Sequence, residues 1–90
     1  MAFTVPPVFL RAARVAGLTV ERTRDNVYRV HLAGHGRTAP GPYGIIKRPA
    51  GYWIGEVHAA DGTFVCFTGG SAKFADVADD LAAGLRQQTY

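Results

Sequence analysis

The chain has one cysteine, Cys66, among its 90 residues, so no internal disulfide can staple it and no oxidising compartment is implied. No apolar run approaches the ~20 residues that cross a bilayer. The opening MAFTVPPVFLRAARVAGL is broken by Arg11 and Arg14 and places no charge ahead of its apolar residues, unlike a secretory signal. A cytoplasmic protein without membrane contact is the expectation. Close ligand pairs are missing too: His31, His35, His58 and Cys66 are scattered, whereas zinc needs a convergent set held on tight turns. Neither a metal nor another cofactor is expected.

Signals for catalysis are equally thin. The GHG of Gly34 to Gly36 leads into proline and a strand instead of a helix N-terminus, so it cannot cradle a phosphate as a phosphate loop does. Cys66 and His58 could form a thiolate pair across a hairpin. A lone cysteine in a VCF context is more often a small core hydrophobe, and Glu56 is a solvated strand carboxylate. A non-enzymatic protein is expected.

Acidic residues are scarce in the first half. Residues 1 to 48 carry eight Lys and Arg against two Asp and Glu, a balance of +6, while residues 49 to 90 carry two against five, a balance of −3. One end of the molecule should therefore attract an anionic partner and the other repel it. With 48% hydrophobic and 19% charged residues the chain has the composition of a folded globule, and its length suits one α+β domain over residues 1 to 90.

Periodicity gives the elements. Pro6 and Pro7 fit a helix entrance, Val8, Phe9, Ala12, Val15 and Ala16 share a face, and Gly17 supplies a left-handed stop, which predicts a helix from Pro7 to Ala16 with Arg11 and Arg14 along one edge. VERTRDNVYRVHL (Val20 to Leu32) reads as a hairpin. A three-residue turn, Arg24, Asp25 and a left-handed Asn26, sets Thr23 opposite Val27 and Glu21 opposite Arg29. Leu18, Val20, Tyr28, Val30 and Leu32 then face inward, with Arg22 at the rim; a two-residue turn would oppose apolar to polar residues. Ala33 to Gly44 is a Gly- and Pro-rich connection. Gly44 to Arg48, Tyr52 to Ala59 and Thr63 to Thr68 read as three strands. The ADG turn admits two readings that turn opposite faces of Val65 and Phe67 inward. Ser71 can cap a helix from Ala72 to about Gln88, on which Phe74, Val77, Ala78, Leu81, Ala82 and Leu85 repeat with helical spacing. The order α-β-β-β-β-β-α predicts an antiparallel sheet of four to five strands packed against two helices.

The constellation with positive support is nucleic-acid binding. Arg11, Arg14, Arg22, Arg24, Arg37, Lys47 and Arg48 are candidate phosphate contacts, and Tyr52 and Trp53 candidate base or sugar contacts. YGIIKRPAGYWIGEV, then ADG, Phe67 and FADVADDLAAGL, together Tyr43 to Leu85, resemble the three-strand-plus-helix DNA-binding domain of plant ethylene-response factors and of phage integrase N-termini. That resemblance implies a sheet that enters the major groove, with Lys47, Arg48, Tyr52, Trp53 and His58 as contacts. It differs in carrying HAADGTF where such domains usually have an arginine-rich hairpin. FLRAARVAGLTVERTRDNVYRV is similar to the opening of HicA-type toxin ribonucleases, but Val27 stands where those carry a catalytic histidine. The expected function is a small nucleic-acid-binding protein, with DNA favoured over RNA, serving as a regulatory or accessory protein of a phage or mobile element. The alternative is an interaction module, for example a phage-encoded modulator of a host protein, that docks through a free sheet face or edge strand.

Overall fold

Two prolines start the chain's first helix in the computed structural model, which describes residues 4–33 and 41–88. Pro6 lies outside the helix with φ −55° and ψ 140°, and its carbonyl accepts from the amides of Phe9 and Leu10 at 3.0 Å, opening α1 (Pro7–Val15). Gly17, at φ +81°, ends it as expected. The closing carbonyl of Ala16 is not left to water alone: Arg86, from the far end of the chain, donates to it at 2.9 Å. This contact places a cation against the negative end of the α1 dipole.

Five strands follow, β1 (Leu18–Arg24), β2 (Val27–Leu32), β3 (Tyr43–Lys47), β4 (Ile54–His58) and β5 (Phe64–Phe67), paired antiparallel in the order of the chain. The first hairpin keeps the expected faces by a different device. Asn26 is left-handed at φ +57° and Glu21 pairs with Arg29, but Arg24 pairs with Val27, so only Asp25 and Asn26 form the turn. Thr23 is the extra residue, bulged between the Arg22–Tyr28 and Arg24–Val27 pairs. The bulge restores the parity that a bare two-residue turn would break. Leu18, Tyr28, Val30 and Leu32 are therefore all buried.

β3 keeps the expected length one residue earlier in the chain, while β4 and β5 are shorter than the sequence suggests. Trp53 leaves β4 because its amide and carbonyl bridge to Ser71, at 2.7 and 2.9 Å. That bridge in turn fixes the entrance of α2 (Phe74–Gln88). With the Ser71 backbone held extended, its hydroxyl accepts from the Lys73 amide at 3.1 Å and donates to Asp76 at 2.9 Å, and the helix begins at Phe74 instead of Ala72. The ADG turn resolves as well: Gly62 at φ +92° donates to the Ala59 carbonyl at 2.9 Å, and the Thr63 amide donates to the Asp61 carboxylate at 2.9 Å.

Both helices pack on one face of the sheet. α2 buries Phe74, Val77, Ala78, Leu81, Ala82 and Leu85 against Val30, Ile46 and Val57, while α1 adds Ala13 and Phe9 at the side. Gly44 and Gly55 lie under Leu81 and Val77, where any side chain would hold the helix off the sheet. The opposite face carries Arg29, Tyr43, Ile45, Lys47, Ile54, Glu56 and His58, and among the described residues no helix covers it.

Candidate nucleic-acid interface

The pairing of Val27 with Lys47 brings the β1–β2 turn and the β3–β4 connection to the same end of the sheet. They are tied there by a hydrogen bond from the Arg48 amide to the Asn26 carbonyl at 3.1 Å. Arg24, Lys47 and Arg48 line one cleft of about 280 Å³ with Asp25, Asn26, Val27 and Pro49. The one carboxylate in that lining, Asp25, is held by Arg22 at 2.6 Å, so it does not stand as an unpaired negative charge at the cleft. Arg24 and Arg48 are exposed. Arg48 donates to the Gly51 carbonyl at 3.4 Å, and its guanidinium lies 5.7 Å from the centre of the Trp53 ring.

Not every candidate residue joins this site. Trp53 is 3% exposed and cannot stack on a base: its ring meets Phe9 at 5.1 Å, Phe74 at 5.3 Å and Tyr28 at 5.9 Å. The physical reason is its parity with the buried Gly55 and Val57, which points the indole to the helix-packed face, where it wedges between α1 and α2. Tyr52, its neighbour, is 48% exposed and stands free of that cluster. Arg11 and Arg14 are exposed on α1, in the helical layer. Arg14 lies in the last turn, which leads into Leu18 at the end of the sheet away from the cleft. Arg37 and His35 fall outside the described residues. Cys66 pairs with Val57 and Phe64 with His58, so the Cys66 and His58 side chains point to opposite faces and form no nucleophile–base pair.

A second cluster, not expected from the sequence, occupies the helix-free face. The Arg29 guanidinium sits 4.2 Å over the Tyr43 ring, and Tyr43 stacks on His58 at 5.0 Å with the rings 4° from parallel. His58 meets Phe64 edge-on at 5.8 Å, and Phe64 meets Phe67 at 4.8 Å. Beneath this row, Glu56 pairs with Lys47 and, at 3.0 Å, with Nε2 of His58. Among the described residues no group of three His, Cys, Asp or Glu could hold a metal ion, and no helix is long and apolar enough to cross a membrane.

Burial pushes the Glu56 carboxyl up, but the hydrogen bonds and charges of Lys47 and His58 outweigh it and hold the group below its ordinary range. A depressed carboxylate stabilises the fold above its unfolded pKa, and that contribution is lost as pH falls through the folded value. Glu56→Gln should therefore lower stability at neutral pH and shrink the loss between pH 7 and acid below about 4, relative to wild type, in urea titrations followed by circular dichroism. Identical acid limbs for the two proteins would show that the pair does not couple to folding.

No family model matches the chain, and neither a curated protein nor a solved structure matches it.

Proposed function

We propose that this chain is a small non-enzymatic nucleic-acid-binding protein whose basic turn end contacts the phosphate backbone. The observation that carries the reading is the meeting, on one cleft, of Arg24 with the adjacent pair Lys47 and Arg48 from a distant part of the sequence. Phosphate binding needs several cations within reach of successive charges, and two adjoining turns meet that need without a helix terminus. Tyr52, exposed in the same β3–β4 connection as Arg48 though not in the cleft lining, offers a ring for a sugar or base. A regulatory or accessory role in a phage or mobile element is the context that the integrase resemblance implies, with DNA as the first polymer to try.

The test is fluorescence anisotropy of labelled DNA and RNA at several salt concentrations. Lys47→Ala combined with Arg48→Ala should weaken binding at every sequence and flatten the slope of log K against log salt by roughly 1.4 to 1.8, about 0.7 to 0.9 per lost phosphate contact. Unchanged affinity and slope would remove both residues from the site.

One observation favours a second reading, a module that docks on a protein. Every residue of β5 is exposed, and none of the four is charged. An uncharged edge strand is a template for strand addition. Protein docking would leave the salt slope untouched and make β5 substitutions decisive.

A further inference from the structure

We infer that the helix-free face of the sheet receives single-stranded rather than duplex nucleic acid, with bases stacking on Phe64 and Phe67 and the backbone passing on toward Lys47 and the basic cleft. The inference rests on the nucleic-acid reading above and specifies its polymer.

Width is the first argument. A major groove about 12 Å wide admits an α-helix or a two-stranded ribbon. Five strands, with four gaps of about 4.8 Å, span roughly 19 Å between the outer backbones, before side chains are added. Laid flat on a duplex, β1 or β5 would strike the phosphate ridge. A single strand imposes no such limit, because its bases splay out and its backbone follows the protein surface.

The second argument is where accessible rings lie. Phe67 is 63% exposed and Phe64 46% exposed, and with their centroids 4.8 Å apart they form one exposed aromatic patch. Their partners across β4 are Glu56 and His58, which places both rings on the helix-free face. The stacked Tyr43 and His58 rings back Phe64 from behind. Being on the edge strand, the two phenyl rings can receive a base from the side as well as from above.

Charge then selects the occupant. Glu56, the carboxylate beside Phe67, is already engaged by Lys47 and His58, so a phosphate track across it meets a paired group. Arg29 lies on the same face, and Lys47, although paired with Glu56, also lines the cleft beside Arg24 and Arg48. Aromatic rings on this face, set apart from the cationic notch by Glu56, Ile45 and Ile54, suit a polyanion with flat, unpaired bases whose backbone continues past them to the notch. A protein strand would need only the backbone edge.

The experiment titrates the full chain into short fluorescein-labelled oligothymidine, oligouridine and a mixed-sequence duplex, at low and moderate salt. Wild type should prefer a single strand to the duplex. Phe67→Ala should weaken single-strand binding about fivefold or more, leave the salt slope unchanged, and leave the residual duplex affinity as it was. Phe67→Trp should retain or strengthen single-strand binding, which a loss of fold could not explain. A duplex bound more tightly than both single strands, or Phe67→Ala binding like wild type, would overturn this inference and leave the phosphate reading standing. Failure to bind any probe even at low salt would overturn both, and a dimer that Phe67→Ala dissociates would then assign the rings to a second copy of the chain.

Discussion

Trp53→Ala should cost about 3 to 5 kcal/mol of folding stability, a large share of the roughly 5 to 15 kcal/mol that a small domain possesses. The indole is almost wholly buried and meets three aromatic rings at centroid distances between 5.1 and 5.9 Å, two of them edge-on. Edge-on aromatic pairs add about 0.5 to 1.5 kcal/mol beyond the area they bury. Phe9 comes from α1, Tyr28 from β2 and Phe74 from α2, so truncation would open a cavity where three elements meet. Urea unfolding followed by far-ultraviolet circular dichroism is the measurement, since the substitution removes the chain's one tryptophan. Trp53→Phe should recover much of the loss. If Trp53→Ala instead cost less than about 1 kcal/mol, surface-like by the usual scale of substitutions, the ring would not be core and its claim as a nucleic-acid contact would return.

The fate of Trp53 shows what was legible in the chain and what was not. Hydrophobic spacing was enough to mark α2, because six buried residues repeat at helical intervals. Gly17 and Asn26, both at positive φ, marked the end of α1 and the first turn for a reason that is local to each residue. Convergence of Arg24 with Lys47 and Arg48 is another matter. It depends on β2 pairing with β3 in one register across a long connection, and no local pattern encodes that register. Trp53 lay in an alternating stretch that reads as a continuous strand from Tyr52. Its parity with the buried Gly55 and Val57 turns it inward, and the bridge to Ser71, a contact across eighteen positions of sequence, holds it there beyond the end of β4.

The aromatic face was hidden by a bulge. Phe64 and Phe67 are three residues apart and would point to opposite faces of a regular strand. Val65 is the extra residue, since Val57 pairs with Cys66 while His58 pairs with Phe64, and it brings both rings to the same side. Thr23 performs the same correction in β1. Turn residues announce that a hairpin exists, but the bulge that sets its parity is decided by packing on both sheet faces. A β-branched residue between two aromatics, after an Asp-Gly turn, was the one hint available. It could not be told from ordinary strand composition.

Gly44→Ala should be the most damaging single-methyl change in the molecule. Gly44 has no positive φ to excuse it; the demand is for space. A Cβ there would lie 2.7 Å from Cγ of Leu81 and 2.9 Å from Cγ2 of Val30, and closer still to Cδ2 of Leu81. Both neighbours are fully buried, so neither can swing toward solvent. Overpacking of this kind costs typically about 1 to 3 kcal/mol and sometimes more. Gly69→Ala is the control, because a Cβ at that site meets nothing within 4 Å and should be neutral or slightly stabilising. Chemical denaturation of both variants decides the matter, and equal midpoints would mean that α2 does not seat on β3 as closely as described. The sharper version adds Leu81→Ala. Alone, that truncation should cost roughly 2 to 5 kcal/mol by emptying the space over the sheet. In the double variant the new methyl occupies part of the space the leucine vacates, so the combined loss should fall short of the sum by more than about 0.5 kcal/mol, the signature of residues in direct contact. Folded Gly44→Ala protein should still bind nucleic acid with the wild-type salt slope, because the glycine faces α2 and the cations lie at the sheet's turn end.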